Sequence, residues 1–318
     1  MLFLISCGQS SKTRVIKLAS TLPMSHPVSK ALVYLANQVK KKSNGRLKIE
    51  IYPSGQLGSE REALELLQIG SIGMTKVSAA ALESFDPAFK AVDMPYIFKN
   101  KEERFKVLDS KIGKQLLLGA QKFWLRGLCY YDAGSRSFYT VNKAVHTPAD
   151  LKGLKIRVQN SDIAVQMIRE LGAAATPIPF GELYSALQQG VVDGAENNPP
   201  SLYFSRQYEV VKYYILDEHS AIPDVLLIST ILWNRLTPQQ QKWIQHAADS
   251  SAIYQRKIWA QLSQKSLDEI HKAGVTIIRP DKSEFAKKVQ PLYNQFKEKD
   301  PKIYRMIKEI QDMEKKDN

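Results

Sequence analysis

Alternating and helical spacing of apolar residues divides the start of the chain into a strand, a helix and a second strand. Residues Val15 to Ser20 alternate between polar and apolar side chains, and Val28 to Val39 have the apolar spacing of a helix. After a turn at Asn44-Gly45, residues Leu47 to Tyr52 alternate again. This order predicts a β-α-β unit, which is the building block of an α/β fold.

A capping box marks the next helix. Ser59 is followed three residues later by Glu62, and the apolar positions of a helix come directly after them. Residues Met74 to Val77 then predict a short buried strand. Strands that alternate with helices favour a parallel sheet, in which ligands lie beyond the carboxyl ends of the strands. The loops Ser20 to Pro27 and Lys76 to Ala80 are therefore expected to border a site.

A second series of β-α units spans residues 154–200. Residues Leu154 to Val158 alternate as a strand that carries Arg157, and Asn160 or Ser161 caps the helix after it. A short apolar strand, Val191 to Ala195, ends at a polar segment. Neighbouring parallel strands end at the same edge of a sheet, so the polar residues at these ends are predicted to share one rim. These rim residues are Arg157, Asn160, Asn197 and Asn198.

A stretch without glycine or proline runs from Gln239 to Ala273, between Pro238 and Gly274. At roughly 1.5 Å per residue, a helix of this length would span about 50 Å, which is longer than one lobe is wide. It is therefore predicted to brace two lobes or to break into shorter pieces. A last strand is predicted over Val275 to Arg279, and the Lys-rich helix after Ser283 is predicted to be a solvated amphipathic cap.

The size and composition are those of a two-lobed globular protein. The chain has 318 residues, more than one core usually supports, and its 44% hydrophobic and 24% charged content excludes collagen-like and disordered chains. Lys and Arg outnumber Asp and Glu by 45 to 32, which gives a formal net charge of +13. Nucleic acid is disfavoured as a partner because the lysine clusters lie at helix ends or tails without interleaved aromatic residues.

The sequence lacks the motifs of common enzyme classes. It has no glycine-rich dinucleotide loop, no phosphate-binding loop and no nucleophile elbow. Its five histidines include no pair at the spacing of helical metal ligands, and neither cysteine has a partner at such spacing. We expect no metal, no cofactor and no catalysis. An enzyme is the alternative, because an acid and base pair distant in sequence could meet in space.

The two cysteines differ in their surroundings. Cys129 lies in the apolar run Leu128 to Tyr131 and is expected to be a buried thiol. Cys7 follows the apolar stub Leu2 to Ile5 and a serine, an order that resembles the lipobox at which bacterial lipoproteins are cleaved and lipidated. This stub is short and has no basic segment before it, so residues 1–13 are predicted to be a signal remnant and tether. The remaining sequence has no apolar run long enough to span a membrane, so a lipid anchor is the only membrane attachment expected.

Four motifs occur in order along the chain: Tyr52-Pro53-Ser54-Gly55-Gln56-Leu57-Gly58, Asp93-Met94-Pro95-Tyr96-Ile97-Phe98, Asp150-Leu151-Lys152-Gly153-Leu154-Lys155-Ile156-Arg157-Val158 and Gly194-Ala195-Glu196-Asn197. Together they resemble the DctP family of solute-binding proteins, which serve tripartite ATP-independent periplasmic (TRAP) transporters. The resemblance runs from Arg14 to the C-terminal helix. It implies a periplasmic-binding-protein-like α/β fold of two lobes, joined by crossing hinge strands and braced by a long helix.

The resemblance also implies a domain plan and a cellular role. Lobe I is predicted to comprise residues 14–134 and 222–262, and lobe II residues 135–221 and 263–318. The family members are periplasmic or extracytoplasmic receptors that deliver a small organic acid to membrane permease subunits. We expect a monomer that binds without changing its ligand.

In the family, the arginine at the position of Arg157 pairs with the substrate carboxylate, and the positions matching Arg136, Asn197 and Phe180 line the same cleft. The chemistry supports this independently, because a guanidinium accepts a carboxylate through two parallel hydrogen bonds. The structural alternatives are a strand-end arginine or internal salt bridge for Arg157, a hinge contact for Arg136 and a core position for Phe180. Further candidate binding residues are Lys76 and Ser78, and, each with a purely structural alternative, Asn198, Asn160, His26 and His219.

The ligand class follows from the resemblance as well. In sialic-acid-binding members a glutamate and an arginine follow the third strand, where this chain has Ser78 and Ala81. The segments 76–79, 132–140 and 196–198 resemble instead the branch that binds hexuronates such as glucuronate and galacturonate. A uronate is therefore expected. A C4-dicarboxylate, a keto acid or sialic acid are the alternatives within the family, and a sugar-acid-processing enzyme is the alternative outside it.

Overall fold

The structure is a computed structural model of the chain and describes residues 13–315, so Cys7 and the predicted signal remnant lie outside the described residues. The strands are β1 Arg14–Ala19, β2 Leu47–Tyr52, β3 Met74–Ser78, β4 Leu125–Tyr131, β5 Arg136–Thr140, β6 Lys155–Val158, β7 Ala174–Pro177, β8 Gly194–Asn197, β9 Tyr213–Ser220, β10 Asp224–Ser229 and β11 Thr276–Ile278. The helices are α1 Pro27–Lys42, α2 Glu60–Gln68, α3 Ala79–Leu82, α4 Lys90–Asp93, α5 Lys101–Asp109, α6 Lys111–Gly119, α7 Asp162–Glu170, α8 Leu183–Gln188, α9 Pro199–Phe204, α10 Thr230–Asn234, α11 Pro238–Lys272, α12 Lys282–Lys299 and α13 Pro301–Lys315.

The strands form two mixed sheets, with the orders β2-β1-β3-β10-β4 and β11-β9-β5-β8-β6-β7. β10 runs antiparallel to β3 and β4, and β5 runs antiparallel to β8 and β9, whereas the other pairs are parallel. The α/β class is confirmed, and the strands of the two predicted series of β-α units pair in parallel, but each sheet also contains antiparallel pairs. Every antiparallel pair includes β5 or β10. These two strands lie outside the β-α units, and their continuous apolar runs do not reveal strand direction.

Two pairs of strands carry the chain from one sheet to the other. β4 in the first sheet leads through residues 132–135 into β5 in the second, and β9 returns through residues 221–223 to β10. Each sheet and its helices form one lobe, which confirms the two-lobed fold with crossing strands. The residue limits of lobes I and II given above stay a prediction.

The long helix α11 braces both lobes, as predicted. Thr237 and Gln240 form a capping box at its start, where Pro238 occupies the first turn. The helix packs on α1 and β4 of one lobe and on α9 of the other. The Gln255 side chain accepts a hydrogen bond from the Asp132 amide and donates one to the Asp132 carbonyl, both at 2.7 Å. This pair fastens α11 to the β4–β5 crossing.

The C-terminal segment differs from the predicted solvated cap. It forms two helices, and α12 packs on α7 and β9 whereas α13 packs on α4 and α5. The buried residues of α12 and α13 belong to the same apolar cluster as the residues between the two sheets. They are Phe285, Val289, Leu292, Phe296, Ile303, Ile307 and Ile310. Their spacing of three, four and seven residues gives each helix a core-facing stripe among its lysines.

Burial and hydrogen bonding decide three local predictions, which concern a helix cap, the start of a strand and a cysteine. Ser161, and not Asn160, caps α7 by accepting a hydrogen bond from the Ala164 amide at 2.9 Å. The strand predicted from Val191 begins only at Gly194, since Val191 is 50% exposed at the preceding turn. Cys129 is a buried free thiol, as expected, and burial raises its pKa.

Gly194 lies where β8 passes closest to β5. A Cβ atom added there would lie 2.4 Å from the Tyr139 carbonyl oxygen, a backbone atom that cannot move independently of its strand. We expect Gly194→Ala to lower the free energy of unfolding by about 1–3 kcal/mol. Gly181→Ala is the control, because its Cβ would meet no atom within 4 Å. Urea denaturation of both variants tests this, and equal stabilities would contradict the packing described.

Candidate functional site

A cavity of about 300 Å³ lies between the two lobes, at the carboxyl ends of strands from both sheets. Lobe I contributes residues from the loop after β1 and from α2, β3 and β10, and lobe II contributes residues from β5, β6, β8 and the segments that follow β6, β7 and β8. Eight of the predicted binding residues line it: Arg157, Arg136, Asn197, Asn198, Lys76, Ser78, Phe180 and Asn160. The position beyond parallel strand ends is the one expected for a ligand site in an α/β protein.

Arg157 is a buried arginine without an internal counter-ion. Its side chain is anchored by a 2.8 Å hydrogen bond from Nε to the Ile178 carbonyl, and the residue is only 2% exposed. Nη1 is buried without a hydrogen-bond partner, and no carboxylate among residues 13–315 forms an ion pair with the guanidinium. Burial lowers the pKa of Arg157, because it penalises the charged form. An anion in the cavity would relieve this penalty.

Arg136, by contrast, is already paired. Its Nε and Nη2 donate to the two carboxylate oxygens of Glu196 at 2.5 and 2.8 Å, and Nη1 donates to the Asn197 side-chain oxygen at 3.0 Å. Burial alone would raise the pKa of Glu196, but the charge of Arg136 and the hydrogen bonds to it lower that pKa to about 2. Glu196 is thus a permanent carboxylate that holds Arg136 at the cavity wall.

His219 extends this chain of charges away from the cavity. Its Nδ1 lies 2.8 Å from Asp217 Oδ2 and its Nε2 lies 3.4 Å from Glu196 Oε2. Burial opposes protonation, but the charge of Asp217 and the hydrogen bonds to both carboxylates raise the pKa of His219 to about 9. At neutral pH the imidazolium therefore lies between two carboxylates.

On the opposite side of the cavity, Lys76 lies between two carboxylates. Its Nζ is 3.3 Å from Asp224 Oδ1 and 3.4 Å from Glu60 Oε1. Burial opposes the charge of Lys76, but Asp224 and Glu60 together raise its pKa. Burial raises the pKa of Asp224 to about 6, although Lys76 partly counteracts it. This cluster places two acceptor groups and one ammonium at the lobe I wall.

A hydrogen bond spans the cavity edge between the lobes. Ser78 at the end of β3 donates from Oγ to the side-chain oxygen of Gln159, 3.3 Å away, just beyond β6. The Ser78 amide also donates to Glu60 Oε1 at 3.1 Å. The Phe180 ring completes one wall and packs on the apolar clusters of both lobes.

Three asparagines on the rim have different surroundings. Asn197 accepts hydrogen bonds from Arg136 and from the Asn198 amide, and Asn198 caps α9 by accepting one from the Ser201 amide at 2.8 Å. Asn160 is exposed at the rim. The turn role considered for Asn198 is therefore present, alongside its position at the cavity.

Two predicted binding residues do not line the cavity. His26 is buried at the start of α1, where its Nδ1 accepts a hydrogen bond from the Val28 amide at 3.2 Å. Burial and the nearby charge of Lys76 lower its pKa. His219 lies behind Arg136, as described above. Both histidines therefore have the structural partners that their structural alternative implies, and a role for either in ligand binding stays a prediction.

Several lining residues were missed by the sequence analysis. Glu60 lies between the two capping-box residues and was not singled out, and Asp224 lies on an antiparallel strand that the spacing did not predict. The signal available was Lys76, since a lysine inside a buried strand needs counter-ions from elsewhere in the chain. The missed residues that line the cavity with side chains able to donate or accept are Thr21, Ser59, Glu60, Arg61, Gln159, Ser201 and Asp224.

Neither metal-binding clusters nor membrane-spanning helices are present among the described residues. Within residues 13–315, no group of three or more His, Cys, Asp and Glu side chains is placed to hold a metal ion. In that same part of the chain, no helix combines the length and apolar character needed to cross a bilayer.

A polar cavity between two lobes, with Arg157 unpaired among residues 13–315, is the arrangement expected of a solute-binding protein. A family model described as bacterial extracellular solute-binding protein, family 7 (DctP), matches residues 18–300. The chain belongs to this family and is a TRAP solute-binding protein, which confirms the resemblance stated from its motifs.

Similar proteins of known structure share the whole fold. A TRAP periplasmic solute-binding protein from Xanthobacter autotrophicus Py2, solved with bound β-D-galacturonate, is 40% identical, with a TM-score of 0.90 over 93% of this chain and 99% of that one. Another from Chromohalobacter salexigens, solved with bound D-glucuronate, is 36% identical, with a TM-score of 0.91 over 94% and 99%. A solute-binding protein of the same organism is 37% identical over 91% of this chain and 87% of its own length.

The His219 charge chain predicts how stability depends on pH. The folded-state pKa of about 9 lies above the ordinary value of 6.5, so the stabilisation is complete below pH 6.5 and is lost as the pH rises through 9. We expect His219→Gln to lower the free energy of unfolding by about 2–3 kcal/mol at pH 6.5, with the difference from the wild type shrinking toward pH 10.

Denaturation curves of both proteins between pH 6 and pH 10 measure this difference. His246→Gln, at an exposed position on α11, is the control and should match the wild type throughout. A His219→Gln deficit that is independent of pH would show that His219 is neutral in the folded protein.

Proposed function

We propose that the protein is an extracytoplasmic receptor that binds a hexuronate, such as glucuronate or galacturonate, between its lobes and delivers it to TRAP permease subunits. The observation that carries this proposal is the buried guanidinium of Arg157, which lines the cavity and has no counter-ion within the described part of the chain. The relatives from Xanthobacter autotrophicus and Chromohalobacter salexigens support the choice of ligand, since they were solved with galacturonate and glucuronate.

Arg157 fits a carboxylate in geometry as well as in charge. Since Nε is occupied by the Ile178 carbonyl, the two terminal nitrogens remain as a pair of parallel donors. A carboxylate accepts two such bonds in one plane, and the pair gains strength where water is excluded. The anchored Nε also prevents the fork from rotating, so the ligand carboxylate would be fixed in orientation.

The remaining walls suit the rest of a sugar acid. The side chains of Asn197, Gln159 and Ser78 can exchange hydrogen bonds with hydroxyl groups, and Phe180 offers an apolar face for the C–H side of a pyranose ring. Small side chains at Ser78 and Ala81 lack the charged groups that the resemblance associates with sialic acid. A cavity of about 300 Å³ is at the lower end for small-ligand sites, which suits one monosaccharide.

Binding without chemical change distinguishes this function from that of a sugar-acid-processing enzyme. Membership of a solute-binding family supports binding alone. Incubation with glucuronate or galacturonate, followed by NMR, should show ligand line broadening and no product. Turnover of either sugar acid at a rate that scales with protein concentration would overturn the proposal.

The decisive test is the loss of uronate affinity at Arg157. We expect Arg157→Ala to weaken binding by about 2–5 kcal/mol, because the carboxylate loses its charged partner. Arg157→Lys should also bind weakly, since a single ammonium cannot provide the planar pair of donors. Isothermal titration calorimetry with both uronates measures these changes.

Arg169→Ala provides the matched control for charge, because Arg169 is exposed on α7, the helix that follows β6. The uronate affinity of Arg169→Ala should equal that of the wild type, and saturating uronate should raise the melting temperatures of the wild type and of this variant. Wild-type affinity retained in Arg157→Ala and in Arg157→Lys would refute the assigned role of this residue.

The lipid anchor at Cys7 is a separate proposal that rests on the lipobox-like order of residues 2–7. Protein expressed in a bacterial host behind a complete lipoprotein signal should carry a diacylglyceryl modification on Cys7, and Cys7→Ser should abolish it. Mass spectrometry of the N-terminal peptide reads out the modification. An unmodified Cys7 in membrane fractions that contain other processed lipoproteins would contradict the anchor.

A further inference from the structure

The two sides of the cavity carry opposite charge. On the lobe II side, Arg136 is neutralised by Glu196, and Arg157 remains as an uncompensated cation. On the lobe I side, the single ammonium of Lys76 lies between the carboxylates of Glu60 and Asp224. At neutral pH the first side therefore attracts an anion. On the second side Arg61 also lines the cavity, but it is paired with Glu65, so this side carries an excess of one negative charge when Glu60 and Asp224 are both ionised.

Each lobe I carboxylate keeps one oxygen available. Glu60 Oε1 accepts from the Ser78 amide and from Lys76, and Asp224 Oδ1 accepts from Lys76. Glu60 Oε2 and Asp224 Oδ2 have no donor among residues 13–315, and both residues line the cavity. An ionised carboxylate oxygen only accepts hydrogen bonds, so it suits a hydroxyl group and repels another carboxylate.

We propose that Glu60 and Asp224 are specificity-determining residues, an inference that rests on the proposed function. They accept hydrogen bonds from the sugar hydroxyls remote from the bound carboxylate, and they repel any ligand that has a second carboxylate at that remote end. The ligand class is thereby restricted to monocarboxylate sugars. Lys76 has a positioning role, because it holds the two carboxylates together without cancelling both charges.

Galacturonate and galactarate form a matched pair of ligands for this proposal. Both have six carbons, and they share one carboxylate and the hydroxyl groups along the carbon chain. In galactarate, the carbon that is anomeric in galacturonate is a second carboxylate. If Arg157 binds the shared carboxylate, the second one of galactarate would face Glu60 and Asp224. Like charges brought together in an enclosed site should weaken binding by at least about 100-fold relative to galacturonate.

Calorimetry at pH 8 with both ligands tests the proposal on the wild type, on Asp224→Asn and on Glu60→Gln. Each substitution removes one negative charge and keeps a side chain of the same shape. We expect each variant to lower the ratio of galacturonate affinity to galactarate affinity by about tenfold or more, because galacturonate should bind more weakly and galactarate more tightly. Glu284→Gln is the control, because Glu284 is exposed on α12, does not line the cavity and should leave the preference unchanged.

The outcomes separate this inference from the proposed function. A wild type that binds galacturonate, with the same preference in both variants, would overturn the specificity role and leave the proposed function intact. A wild type that binds galactarate as tightly as galacturonate would also overturn it. A wild type that binds neither glucuronate nor galacturonate would instead refute the proposed function itself.

A measurement on the unmodified protein applies even if a variant fails to fold. The charged and titratable groups that face Asp224 are Glu60 on α2, Lys76 on β3, Tyr131 on β4 and Arg136 on β5. Because burial raises the pKa of Asp224 to about 6, this carboxyl loses its charge between pH 8 and pH 5. The wild-type preference for galacturonate should therefore fall at pH 5, and a preference that stays constant or increases would contradict the assignment.

Discussion

An unpaired positive charge inside a closed cavity is the constraint on which the site depends. Burial of a guanidinium without a counter-ion is costly, and the fold tolerates it at Arg157 by anchoring Nε on a backbone carbonyl. The neighbouring arginine, Arg136, shares the same environment but is neutralised by Glu196, which His219 and Asp217 support in turn. Arg136 thus stabilises the cavity wall, whereas Arg157 remains available to a ligand.

The cavity exists only where the two lobes meet. Arg157 comes from the second sheet, whereas Lys76 and Asp224 come from the first, and the Ser78–Gln159 hydrogen bond joins the two sides at the edge. A ligand that contacted both walls would therefore bind the closed arrangement more tightly than an open one, and its binding free energy would favour closure. Affinity and closure are in this way consequences of the same set of contacts.

The sequence allowed the parts of this arrangement that depend on local spacing to be predicted. Alternation in β6 placed Arg157 at a strand end, and the uninterrupted stretch after Pro238 predicted α11. The role of Arg136 came from family resemblance alone. Asp224 could not be predicted, because its strand pairs antiparallel with β3, a segment about 150 residues away, and no local pattern encodes that pairing. The surroundings of the two histidines could not be predicted either, because a buried His that caps a helix or bridges carboxylates has no distinct signature in sequence.

The attachment of α11 has a mechanical consequence. This 35-residue helix contacts both lobes and is fastened to the β4–β5 crossing through Gln255, so neither lobe can rotate without bending or displacing it. If the lobes rotate when a ligand is enclosed, α11 would therefore have to curve or shift at the back of the molecule. The outer contour, and not only the mouth of the cleft, would then differ between the empty and loaded receptor.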